Sequence, residues 1–471
     1  LLSFFKFNDP IRLVGIILLL LLLRLPYMWM GTPVTQPEML WLLVGERISE
    51  GFMLYTDIRD NTAPLSALIY GGLHFIFGRT LWPYHLLASF IIFLQSAYIN
   101  SLFLSHKSYD ENTYLPAFIT VLLFHFSYDL LTLSPVLLGS TFLLLAIGQL
   151  FSLATINQNN TEAIVLLGLF AGLAPCFHFP LLFFLPVMIL TGLFISNFNF
   201  QELLLSIVGY FLPLSIIGLF FFWNGAFMDF VQGLMSPGWK LDSLAHVSYR
   251  ELLYVMAFPI GFTVFGYLAT SLWGRLYIHQ QKQKQIVMIY GLGAVLLVFL
   301  NYRVIAYQFI PFIPLMVFFI NHLILRNERL FVQSVLFYAL LISVPFFGYS
   351  WFFYKKNDKS FSDYALKIEE KHAIGNGSKL LVLGKDLAYY HSASPATGFL
   401  NFNLSKKHLL EVEDFDKMHV TMANFQKDPP EWVIDQEGVF SSILPYYPIL
   451  QEAYTPRRPG IYELKKGSQF P

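Results

Sequence analysis

After its first long apolar run the chain reads Gln36-Pro37-Glu38, then Gly45-Glu46-Arg47 and Glu50-Gly51, then Tyr55-Thr56-Asp57-Ile58-Arg59-Asp60-Asn61, and ends Ala63-Pro64-Leu65. Ionisable groups near a bilayer are costly to place and mark a functional site by default. The rest of the chain makes the bilayer the relevant solvent. Of 471 residues, 56% are hydrophobic, 18% aromatic and 13% charged, whereas a soluble domain is about 25% charged. Apolar runs recur as far as Trp351, most of them near the ~20 residues that cross a hydrocarbon core. They are continuous rather than alternating in twos, which argues against a β-barrel.

Working outward, the runs predict membrane-crossing helices over residues 13–27, 84–103, 114–126, 136–153, 163–175, 181–195, 203–222, 252–273, 286–300, 304–325 and 330–351. About 11 crossings put the termini on opposite sides. Lys107, Arg275, Lys282, Lys284, Arg326 and Arg329 fall in one set of loops, and only Arg303 falls in the short loops of the other set. The positive-inside rule makes the first set and the N-terminus cytoplasmic. Lys6 and Arg12 precede the first run and no small-residue cleavage site follows it, so it reads as a retained anchor. The opening segment and the loop 224–250 then face outward. Arg47, Arg59, Arg79, Lys240 and Arg250 lie in these longer outer segments, where the charge rule is weak.

Within the segment, Met39, Leu42, Leu43 and Ile48 fall on one side of a helix and Glu38, Glu46 and Arg47 elsewhere. Residues 64–77 are similar, with Gly71 and Gly72 inside. Two interfacial helices over about 37–78 are expected; a short span over 63–77 would invert all later topology. Past Trp351 the composition turns polar. Residues 363–371 read as an amphipathic helix stopped near Gly375. Residues 379–384, 431–435 and 460–464 read as strands of a small outer-side α/β domain. The expected organisation is a membrane domain over 1–352, a linker with the amphipathic helix over 353–377, and a soluble domain over 378–471.

Several classes drop out. Net charge is zero with no basic tract, which removes the electrostatic footprint of nucleic-acid binding. One cysteine, Cys176, allows neither an internal disulfide nor a Cys-rich metal site. No mid-span charge and no repeated halves are visible, which weakens a transporter or channel. Glu38, Asp57, Arg59, Asp60, Asn61, Asp129, His178, Arg303, Tyr307 and Gln308 all map to the outer face. A one-sided polar cluster above an apolar bundle suits a substrate with a polar head and a lipid tail.

In order, the segment shows a first helix with Arg24, Pro37-Glu38 opening an interfacial helix, Glu50-Gly51 and Tyr55, an acidic loop Asp57…Asp60-Asn61, then Pro64-Leu65 and Phe77-Gly78. This layout resembles the GT-C superfamily of membrane glycosyltransferases, in the branch of the protein O-mannosyltransferases and the aminoarabinose transferase of lipid A. Gly168-Leu-Phe-Ala-Gly172 with the loop Cys176-Phe-His178-Phe-Pro180, and Arg303…Tyr307-Gln308-Phe-Ile-Pro311, resemble two later family elements. The resemblance implies a polyprenyl-phosphate-linked sugar as donor and transfer to a lipid, glycan or protein on the periplasmic side of a bacterial inner membrane. It implies an acidic base, carried here by Glu38, Asp57 or Asp60, because a carboxylate must accept the acceptor hydroxyl's proton. It also implies a cation for the departing phosphate, Arg59 or Arg303, with His178, Tyr307 and Gln308 beside the substrate. The family usually has Asp-Glu where this chain has Pro37-Glu38. The alternative is therefore a GT-C-like subunit without catalysis that holds a lipid or partner subunits in a membrane complex.

Each residue also has a structural reading. Glu38 can cap its helix, Asp57 and Asp60 can form turns with Arg59 paired to one of them, and Asp129 can be a loop residue. Arg303 can snorkel to head groups, and His178 can be a packing residue. No cofactor is expected; Glu38, Asp57, Asp60 and His178 could together meet a divalent cation, but no ligand spacing supports it.

Overall fold

The computed structural model describes residues 1–155, 161–235, 244–272, 276–301, 303–327 and 329–465; Lys240, Arg275 and the end of the expected 252–273 helix lie outside them. Each of the eleven expected runs holds a helix, although the run 304–325 opens on the strand Arg303–Val304 and the 3-10 helix Ala306–Phe312 before the α-helix Ile313–Leu325. Among the described residues, eight helices are long and apolar enough to cross a membrane, from Arg12–Trp29 to Leu330–Asn357. The other three, Leu115–Phe124, Thr161–Phe177 and Phe179–Phe194, are shorter apolar helices. The protein has a polytopic α-helical membrane fold with a small C-terminal α/β sheet.

The chain divides into two compact units. The first, residues 1–32, 81–220 and 238–357, contains the long helices. Large apolar side chains such as Leu18, Leu22, Phe220 and Phe299 are exposed on it, as lipid-facing surface requires. Its inner contacts depend on small residues. A Cβ at Gly168 or Gly172 would overlap the backbone of Ser206 or Tyr210. Four-residue spacing of glycines thus lets the helices Thr161–Phe177 and Phe200–Trp223 approach backbone to backbone.

The second unit assembles residues 33–80, 221–237 and 358–471. Helix Gln36–Ser49 is started by a capping box: Thr35 accepts from the Glu38 amide at 3.2 Å, and Glu38 accepts from the Thr35 amide at 3.3 Å. Every residue from Gln36 to Arg47 is buried. Helix Pro64–Phe77 packs against it through Gly45 and Gly71 and exposes Leu68, Phe75 and Ile76, a stripe suited to a membrane interface.

The sheet runs in the order 394–395, 379–383, 432–435, 461–464, 454–458. The first three strands are parallel and the last two antiparallel. Helices Phe402–Leu410 and Phe415–Lys427 precede the central strand Trp432–Asp435. Phe399, Phe402, Leu409, Phe425 and Phe440 fill the core with the strand residues Leu381, Leu383 and Val433. The amphipathic helix expected over 363–371 does not form. It is reduced to the single turn Phe361–Tyr364 and the 3-10 turn Glu370–Ala373. Ala365 instead pairs antiparallel with Thr35, and the Leu366 amide donates to the Val34 carbonyl at 2.8 Å. These backbone groups are satisfied across the unit rather than along a helix.

Candidate functional site

The residues singled out in the sequence fall into two groups, one in each unit. In the second unit the opening segment is a meeting place of charges. Arg47 is 1% exposed. It donates to the Thr397 carbonyl from Nε and Nη2 (3.1 and 3.0 Å), to Glu50, and to Asp428. Asp428 also accepts from Lys379 and from the Thr397 amide. Burial alone would raise the Asp428 carboxyl, but Lys379 and Arg47 outweigh it and hold it below its ordinary value. Arg79 forks onto Glu46 at 2.5 and 2.8 Å and donates to the carbonyls of Tyr390 and Ala393. Phe52 lies under both Arg47 and Lys427, at 4.1 and 4.7 Å from the ring centroid.

The acidic loop is fastened at each end. Asp57 accepts from the Met53 amide and from Lys427, both at 2.8 Å. Asp60 accepts from the Thr62 amide and hydroxyl, a local turn, and from Asn401 at 3.2 Å. Between them the Arg59 amide donates to the Gly398 carbonyl at 2.7 Å, and its carbonyl accepts from Asn401. A Cβ at Gly398 would overlap the Asp57 carbonyl, so only glycine permits this approach. Tyr55 takes a φ of +70°, unusual for a bulky residue. Its hydroxyl donates to the Thr62 carbonyl, and its ring packs on Phe221 and on Phe230, the latter in the helix Phe227–Met235.

The loop therefore uses most of its ionisable groups structurally. Glu38 caps, Asp60 forms a turn, and both are almost fully buried. Asp57 is more open, with 22% of its side chain exposed and Lys427 at 50%. Arg59 differs from Arg47 and Arg79. Among the described residues its side chain has no hydrogen-bond or ion-pair partner, and its buried Nε is unpartnered. Burial lowers its pKa, and the charge of Asp229 partly offsets that. Asp229 itself accepts from Thr56 at 3.2 Å.

In the first unit the structure brings His178, Asn301 and Gln308 together. The Asn301 amide meets His178 Nε2 at 3.2 Å and donates to Gln308. Burial and the charge of Arg303 push the His178 imidazole down to about 3, so it is neutral and accepts. The Tyr307 amide donates to Asp129 at 3.2 Å, and Ser127 donates to its other oxygen. Asp129 thus organises two loops, and its burial raises it to about 6. Among the described residues no group of three or more His, Cys, Asp or Glu side chains is placed to hold a metal.

Arg79, Tyr390, Lys427 and Asp428 were not marked by the sequence, nor was His408, whose ring lies 5.8 Å from that of Phe399. Tyr390, Lys427, Asp428 and His408 lie far along the chain from the opening segment, and Arg79, which directly follows Gly78, forms no motif of its own, so no local pattern pointed to them.

Two compact units, one of long apolar helices and one joining a pair of post-anchor helices to a small sheet, define a GT-C-like membrane fold. The chain is similar in structure to ArnT from Cupriavidus metallidurans, solved bound to undecaprenyl phosphate. The TM-score is 0.56 over 98% of this chain and 100% of that one, at 10% sequence identity. At that identity the likeness is one of fold. No protein-family model and no curated protein sequence matches the chain.

Proposed function

We propose that this protein is a membrane glycosyltransferase that takes a sugar from a polyprenyl-phosphate carrier and passes it to a lipid, glycan or protein on the periplasmic side of a bacterial inner membrane. The observation that carries the reading is Arg59. In a GT-C-like fold, on a loop whose other arginine neighbours are held by carboxylates and carbonyls, its guanidinium is left without a protein partner among the described residues. A planar cation in a partly buried place suits a phosphate that gains charge as its sugar leaves. Asp57, two residues before it and the most exposed of the three candidate carboxylates, is the proposed base. It would take the acceptor hydroxyl's proton as that oxygen attacks the anomeric carbon. In the first unit Arg303, with His178, Tyr307 and Gln308, is proposed to meet the polar head of a lipid. The N-terminus is assigned to the cytoplasm and residues 378–471 to the periplasm.

A second reading is favoured by one observation. Glu38, Asp57 and Asp60 each hold a structural bond, as expected of a non-catalytic subunit that binds a lipid or a partner within a membrane complex. The two readings separate on purified protein in nanodiscs with polyprenyl-phosphate sugars and membrane extract as acceptor. Sugar transfer lost in Asp57→Asn and Arg59→Gln, with unchanged melting, supports the enzyme. Binding of undecaprenyl phosphate without transfer under any donor supports the subunit.

A further inference from the structure

Arg59 is not alone in carrying a bare buried atom. Helix Phe402–Leu410 of the same unit has two more. His408 Nε2 and Ser405 Oγ are both buried and have no partner among the described residues. Spaced three residues apart, they are neighbours on the helix surface.

Backbone bonds bring Arg59 to this helix. Its amide donates to Gly398 and its carbonyl accepts from Asn401, the residue that starts the helix. Phe399, between those two, packs its ring on the His408 imidazole at 5.8 Å. The charges of Arg59 and His408 act on one another. The imidazole is held largely neutral, its pKa pushed down to about 4 by burial first and then by the charges of Arg59 and Lys417. Nε2 has no partner among the described residues, and with the ring proton on Nδ1 it presents a bare lone pair. A buried acceptor left bare in a folded domain is costly, and the guanidinium whose charge reaches it lacks a hydrogen-bond partner among the described residues as well.

A ligand that satisfies both must offer an anionic oxygen to the guanidinium and a hydroxyl donor to the imidazole. A fully ionised bare lipid phosphate or a plain alcohol supplies only one. We propose that His408 reads the sugar of the lipid-linked donor, its Nε2 accepting a hydrogen bond from a sugar hydroxyl close to the phosphate that Arg59 holds. This rests on the phosphate reading of Arg59 given above. His408 is then a specificity-determining residue contributed by the C-terminal domain. A pocket built to bond a hydroxyl discriminates strongly against ligands that lack it.

The test uses the full chain in nanodiscs and measures binding of undecaprenyl phosphate and of its glucosyl, mannosyl, galactosyl and N-acetylglucosaminyl esters. In the wild type at least one ester binds about tenfold tighter than the bare phosphate, the worth of one well-made bond. His408→Phe, which keeps the ring against Phe399 but has no acceptor, loses that gain and leaves bare phosphate binding unchanged. His408→Gln, which restores an acceptor, recovers it, and His408→Leu serves as a second acceptor-free variant should the phenylalanine disturb melting. The inference is overturned if the gain survives in both acceptor-free variants, if no ester gains over the bare phosphate, or if both ligands weaken equally. If the wild type binds neither lipid, the phosphate reading of Arg59 falls, and this inference with it.

Discussion

Asp57 meets Lys427 at 2.8 Å across 370 residues of sequence, joining the loop after the first membrane helix to the helix Phe415–Lys427. Both side chains are partly open to solvent, so the pair contributes only about 0–1 kcal/mol. Lys427→Ala should therefore melt within about 1 kcal/mol of the wild type and retain sugar transfer. Asp57→Asn should melt similarly but lose about 10²- to 10⁴-fold in transfer rate, the usual worth of a general base. Equal transfer by the two variants would remove Asp57 from the chemistry.

Glu38 offers a cleaner separation of capping from catalysis. Glutamine at the same position still completes a capping box, whereas Thr35→Ala should cost about 0.5–2 kcal/mol of stability. Glu38→Gln is expected to fold and transfer sugar as the wild type does. A large drop in transfer with unchanged melting would make Glu38 the base instead.

Arg47 is the buried member of its network. Arg47→Ala leaves Asp428 with its carboxylate almost fully buried and should destabilise the unit by about 3–5 kcal/mol. Lys379, which bonds the same carboxylate but is 53% exposed, should cost about 1 kcal/mol or less when replaced by alanine. Chemical denaturation of the two variants in detergent ranks them.

Gly398→Ala inserts a methyl where the Asp57 carbonyl already lies. The loop must retreat, stretching the bond from the Arg59 amide. A loss of about 1–3 kcal/mol is expected from overpacking, together with reduced transfer, because the loop carries Asp57 and Arg59. Melting at normal stability would show that the loop moves freely.

His408 gives the unit a pH dependence of known sign. Its folded pKa is about 4 against an ordinary 6.5. Between those values the unfolded chain binds a proton that the folded one does not, so stability is full above about pH 6.5 and declines as pH falls toward 4. Melting temperature followed from pH 7 to 4.5 should drop more steeply in the wild type than in His408→Gln. Parallel curves would contradict it.

The membrane helices were legible because each is a long apolar run whose boundaries are set by local chemistry, as with Arg12–Trp29 and Leu330–Asn357. The strands Lys379–Leu383 and Trp432–Asp435 were legible for the same reason, being short buried runs between turns. Helices Phe227–Met235, Phe402–Leu410 and Phe415–Lys427 are too short to stand out as apolar runs, and the first lies inside the 224–250 loop. The 363–371 pattern misled because Ala365 and Leu366 found backbone partners at Thr35 and Val34. The opening segment's own residues were visible, but what they do depended on Thr397, Gly398, Asn401 and Asp428, whose nearness only the fold creates. Arg59 stands out only once its neighbours are seen to be engaged.

The bond from Arg47 to Asp428 spans 381 residues, and that has a consequence for how the protein is made. At about 5–20 residues per second of synthesis, the arginine is made roughly 20 to 80 seconds before its carboxylate exists. For that interval the 33–80 segment waits as an unfinished half of its unit, its future core still exposed. Assembly of the second unit thus waits for the last hundred residues, and a ribosome that stops early leaves a protein with its long helices made and that unit incomplete.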